Sequence, residues 1–120
     1  MNTSRRIGIE ISWSDRRLAK ACSGDRDGTR RWGAENWLRL KRRLASLAAA
    51  PTLLDMDGVP GNCHALRANR SGEFAVDLWG AYRLVFEPDH DPLPELADGS
   101  VDRAQVTKIV IKEVVDYHGN

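Results

Sequence analysis

Residues 73–86 read Glu73-Phe74-Ala75-Val76-Asp77-Leu78-Trp79-Gly80-Ala81-Tyr82-Arg83-Leu84-Val85-Phe86. Phe74, Val76 and Leu78 alternate with Glu73, Ala75 and Asp77, the period-two pattern of a strand with one apolar side. Gly80-Ala81 signals a tight turn, and 82–87 returns as the second strand of a hairpin. An isolated hairpin is marginal in water, so this one needs a larger sheet around it.

Downstream, 106–115 reads as a last strand. Val106, Lys108, Val110, Lys112 and Val114 fall on one side, and Thr107, Ile109, Ile111, Glu113 and Val115 on the other. Between the hairpin and this strand, 88–104 holds three prolines with Asp, His and Gly, the composition of a long acidic loop. Upstream, 64–67 reads as a short strand, preceded by a loop over 55–62 with Asp57-Gly58 and Pro60-Gly61-Asn62.

Trp37, Leu40, Leu44 and Leu47 recur at three- and four-residue spacing. They form the apolar face of a helix from about Arg30 to Ala49, which Pro51 ends. Arg39, Arg42 and Arg43 lie off that face. Residues 23–29 are turn formers and read as a polar loop. Ser14 is a suitable N-cap for a short helix, roughly 15–22, that stops at Gly24. Ile7, Ile9, Ile11 and Trp13 alternate as an amphipathic first strand over 7–13. The order is strand, helix, helix, then four strands. It predicts a single α+β domain over 1–120, with the N-terminal strand and two helices packed on one face of a mainly antiparallel sheet of four to five strands.

At 120 residues and 42% hydrophobic content, one packed core is expected and wholesale disorder is not. Cys22 and Cys63 form no CxxC pair, so reduced thiols are expected. The stretch Ile7-Gly8-Ile9-Glu10-Ile11 is too short and interrupted for a signal h-region. The weakly polar run 44–51 is about half of a membrane span. The expectation is a cytoplasmic protein with no membrane partner. The net charge of +1 hides a division: twelve Lys/Arg against five acids up to residue 50 give +7, which leaves −6 for the rest. A basic front part suits a polyanion or an acidic protein. The acidic 88–104 loop would repel RNA and suits something basic.

Asp116-Tyr117-His118 follows the last strand. An imidazole suits proton transfer near neutrality, and a phenol and carboxylate beside it can orient it. Alone, three polar residues are a weak motif. His64 is a second acid/base or a phosphate ligand, and Arg67 can pair with a phosphate bidentately. Arg83 lies in an otherwise apolar strand and needs a partner, because an unpaired buried charge is costly. A metal-free RNA cleavage needs a base for the 2′-hydroxyl, an acid for the 5′-oxygen and cations for the phosphorane. There is no HExxH, no glycine-rich nucleotide loop and no GxSxG; His90 reads as loop decoration between Asp89 and Asp91. No metal and no cofactor are expected.

These segments resemble a known family. His64-Ala65-Leu66-Arg67-Ala68-Asn69-Arg70-Ser71-Gly72 looks like the "H-x-L-(K/R)-G-(D/N)-R-x-G" segment of HigB-type toxins. Residues 74–86 look like their hairpin, whose second strand carries "(Y/W)-R-(I/L)-x-F". Val114-Val115-Asp116-Tyr117-His118 is similar to their "D-Y-H" ending. The resemblance implies a RelE/ParE-like fold and membership of a type II toxin–antitoxin pair. It implies metal-independent cleavage of mRNA in the ribosomal A site. The implied catalytic residues are His64, Arg67, Arg83, Asp116, Tyr117 and His118, with Arg70, Arg39 and Arg43 as RNA contacts. The implied partners are a cognate antitoxin of the small helix-turn-helix kind and mRNA on the ribosome. A non-enzymatic ParE-like toxin, or a degenerate relative that only binds a protein, is the alternative.

Overall fold

In the computed structural model, which describes residues 7–116, the hairpin predicted over 73–87 forms β3 (Phe74–Asp77) and β4 (Tyr82–Pro88). The other elements are β1 (Glu10–Trp13), α1 (Arg16–Ala21), α2 (Asp25–Ala49), β2 (His64–Ala65) and β5 (Lys108–Asp116). Short 3-10 turns cover Leu53–Gly58, Ala68–Arg70 and Arg103–Gln105. The result is a compact α+β fold on one five-stranded mixed sheet, ordered β1-β5-β4-β3-β2. β1 runs parallel to β5, and the other neighbours are antiparallel. No helix among the described residues is long and apolar enough to cross a membrane.

One face of the sheet carries the core. Phe74 and Val76 of β3, Leu84 and Phe86 of β4, and Ile109 and Ile111 of β5 pack with Leu18 of α1 and with Trp37, Leu40 and Leu47 of α2. The helix periodicity and the hairpin alternation therefore point at one another, as expected. Each fully buried side chain of this size contributes about 1.5–3 kcal/mol by leaving water. β1 is shorter than its alternation suggests. Ile9 is buried, but Ile7 lies outside the strand and is 78% exposed.

The first helix is capped by Asp15, not Ser14: its carboxylate accepts from the Leu18 N–H at 2.8 Å. The larger departure concerns 25–29, which is helical and not loop. α2 starts at Asp25 and breaks at Gly33, whose φ of 85° is outside the helical region and open only to a residue without Cβ. The break lets the first segment fold against the second. Trp32 stacks on Trp37, and the Asp25 carboxylate accepts from Trp37 Nε1 at 2.7 Å and Lys41 Nζ at 2.8 Å. Gly28 is buried in this contact, where a Cβ would stand 2.2 Å from Trp37 Cδ2. These tertiary bonds override the turn-like composition.

Strict alternation also fails in β5. Phe86 pairs with Ile111, but Val85 pairs with Glu113, so Lys112 is an extra residue in a β-bulge. Beyond it the pattern reverses. Val114, opposite Leu84, packs on the core side with Ile109 and Ile111, while Glu113 and Val115 join Arg83 and Val85 on the other face.

The 88–104 segment is ordered. A bridge joins Glu95 to Val101, and Leu96 N–H donates to Ser100 O at 2.8 Å. His90 Nε2 accepts from the N–H groups of Thr107 and Lys108 at 3.1 and 3.3 Å, tying the segment to the start of β5. Arg103 makes a two-pronged pair with Asp57 at 2.6 and 3.1 Å. Val106 then enters the core. Cys22 and Cys63 are free thiols, and burial pushes each up to about 11.

Candidate active site on the outer sheet face

The face opposite the helices carries His64 and Arg83, two of the predicted site residues. Cross-strand pairing sets their places. His64 of β2 stands opposite Ala75, which stands opposite Val85, which stands opposite Glu113. Two residues along, Asp77, Arg83 and Val115 form the next row. Successive strands are about 4.8 Å apart, so three spacings put roughly 14 Å between the backbones of β2 and β5. His64 and Arg83 thus share a face, two strands apart. Asp116, opposite Tyr82, closes β5 at the same end of the sheet as Arg83. Tyr117 and His118 lie outside the described residues.

His64 is half-buried, and its Nδ1 is 2.7 Å from the Asn62 carbonyl. A carbonyl only accepts, so Nδ1 carries the proton. That leaves Nε2 as the lone-pair nitrogen of the neutral ring, the form a general base requires. Asn62 reaches this position with a positive φ of 52°, a conformation asparagine tolerates. Its amide also donates to Asp77 Oδ2 at 3.3 Å.

Arg83 is held from the side. Its Nε lies 3.2 Å from Asp77 Oδ1, an ion pair that falls short of hydrogen-bond geometry. A neighbouring carboxylate is thus one partner of the cation that its apolar strand demanded.

Arg70 is bound more fully. Its guanidinium pairs with Glu73 at 2.7 Å and, across β3 and β4, with Glu113 of β5. Both hydrogen bonds raise its already high pKa, that to Glu113 first. An arginine so engaged offers little to a phosphate. Arg67, in contrast, is exposed, and its guanidinium has no hydrogen-bond or ion-pair partner among the described residues.

Arg39 and Arg43 do not project freely from α2. Arg43 Nε donates to the Asp77 carbonyl at 2.9 Å, and burial beside Arg39 and Arg42 lowers its pKa. Arg39 lies over the Trp79 ring at 5.3 Å. Asn36, a buried polar residue, accepts from the Trp79 N–H at 3.0 Å. The three helix residues therefore fasten the hairpin end to α2. Arg16, Arg17, Lys20, Arg26, Arg30 and Arg42 carry no ion pair among the described residues.

Two residues near the site escaped the sequence reading. Asp77 looked like a solvent-side strand residue, yet it touches Arg83 and Asn62. Trp79 looked like the end of a strand, yet it is 51% exposed beside Arg39. Its neighbour Gly80, a turn former, was the available signal that the strand ends before Trp79. Among the described residues no group of three or more His, Cys, Asp or Glu could hold a metal ion. Comparison of the chain with protein-family models, with curated proteins and with solved structures gave no match.

Proposed function

We propose that the protein is a HigB-type toxin of RelE/ParE-like fold that cleaves mRNA on the ribosome. The observation that carries this reading is the His64 tautomer. Nδ1–H is committed to Asn62, and Nε2 is left able to take a proton on the face that also holds Arg83. In the reaction, His64 Nε2 removes the proton of a 2′-hydroxyl. The oxygen attacks the adjacent phosphorus, the bond to the 5′-oxygen breaks, and a 2′,3′-cyclic phosphate forms. Arg83 stabilises the charge on the phosphorane. His118 returns a proton to the departing 5′-oxygen, with Asp116 and Tyr117 orienting it. Exposed Arg67 binds a flanking phosphate, and Trp79 offers a ring on which a base can stack.

The test is expression of the chain alone, with mRNA ends mapped by primer extension. Growth arrest with new 5′ ends is expected, and His64→Ala, Arg83→Ala and His118→Ala each relieve it. Intact mRNA during wild-type expression sinks the reading. The second reading, a toxin that arrests growth by binding a protein, is favoured by the carboxylate pairing of Arg70 and Arg83. It predicts arrest that survives His64→Ala.

A further inference from the structure

The acidic 88–104 segment and the edge of the sheet enclose a groove that the proposed reaction does not use. Its volume is about 500 Å³. The lining is apolar at Ala65, Leu66, Phe74, Leu93, Leu96 and Val101. Leu96 stands at the rim and is 50% exposed. Two charged residues in the wall are already engaged: Glu73 by Arg70 and Arg103 by Asp57. Glu95, also in the wall, is exposed and has no cation among the described residues. Asp98 nearby is held ionised by the Ser100 hydroxyl and N–H, which are neutral donors and leave its charge uncompensated.

We propose that this groove docks an extended segment of a partner protein in which aliphatic residues alternate with lysine or arginine. Three features select that occupant. The apolar floor and the half-exposed leucine take the aliphatic side chains. The uncompensated carboxylates select cations and repel nucleic acid. Extension is favoured because β2 is a two-residue edge strand paired only with β3. Since Leu66 N–H donates to Glu73 O, the register turns the N–H and C=O of Ala65 away from β3, free to meet an added strand. The opposite wall is set in advance by the Glu95–Val101 bridge, which lowers the ordering cost of binding. The inference does not rest on the nuclease reading.

The experiment uses the full chain, isotope-labelled, and a synthetic peptide of alternating lysine and leucine. A matched peptide with glutamate in place of lysine is the control. Amide shifts confined to 65–74 and 93–103 are expected, with binding at least about tenfold weaker for the glutamate peptide. Leu96→Asp and the double variant Glu95→Lys, Asp98→Lys should each abolish the shifts, while the ribosomal activity, if present, stays unchanged. Absence of binding, equal binding of both peptides, shifts elsewhere, or unaltered binding by the variants overturns the proposal. Shifts at these residues that grow with protein concentration alone assign the groove to a second copy and overturn it too, as does displacement of the peptide by a short oligoribonucleotide.

Discussion

Asp77 and Arg83 are direct cross-strand partners on β3 and β4, and the aspartate oxygen stands 3.2 Å from the arginine Nε. The carboxylate holds the guanidinium from one side, and Asn62 holds the carboxylate through its second oxygen. Aim is therefore passed from a loop amide through an acid to the cation.

Arg83→Ala is expected to lower mRNA cleavage by about 10²–10³-fold, the usual loss when a donor to a developing oxyanion is removed. Asp77→Asn leaves the cation but loosens its direction, and about a tenfold loss is expected. Both side chains are roughly a third exposed, so the pair adds less than about 1 kcal/mol to stability. Single-turnover cleavage and urea unfolding, read on the same samples, separate the two effects.

Trp79 is expected to act in binding. Stacking on one base is worth about 1–3 kcal/mol, so Trp79→Ala should raise KM roughly tenfold and change kcat little. Trp79→Phe should recover part of the loss. An unchanged KM for the alanine variant removes Trp79 from the site.

Gly28→Ala tests the folded-back start of α2. The new methyl would stand 2.2 Å from Trp37 Cδ2, inside the ring contact. A cost of about 1–3 kcal/mol is expected, seen as a fall of several degrees in Tm. Thr29→Ala, at an exposed position of the same turn, should be near neutral.

Two surface aspartates set an acid limit. Lys41 first and Trp37 second hold Asp25 below the ordinary carboxylate value of 3.8, and Arg103 does the same for Asp57. The folded chain thus binds these protons less tightly than the unfolded chain. Their contribution is complete above 3.8 and is lost as pH falls through the lower folded values. Thermal melts between about pH 6 and 2 should show a shallower acid decline for Asp57→Asn than for wild type. Parallel curves would mean that the pair with Arg103 carries no linkage.

The hairpin and the second half of α2 were legible because local pattern and tertiary packing agree there. Phe74, Val76, Leu84 and Phe86 alternate without interruption, and Leu40 and Leu47 lie on one helical stripe. The helical 25–29 was not legible, because Gly24, Asp25, Asp27 and Gly28 favour turns until Trp37 and Lys41 supply distant partners. Nor could alternation reveal a bulge, since an inserted residue looks like any other. For the site, residue type marked His64 and Arg83. Their engagement was hidden: the Asn62 carbonyl that sets the histidine tautomer has no side-chain signature, and Arg70 becomes a tie between carboxylates only through the folding of β5 beside β4.

The bulge at Lys112 absorbs one residue without disturbing the ladder on either side of it. Ile109 and Ile111 are anchored before it by β1, whose last paired residue, Trp13, meets Ile111. Without Lys112, Ile111 and Glu113 would be consecutive and still stand opposite Phe86 and Val85, so every later residue would keep its present face. Val114 would stay turned to the helices and Val115 beside Arg83. Loss of this one codon therefore leaves both faces of the sheet as they are.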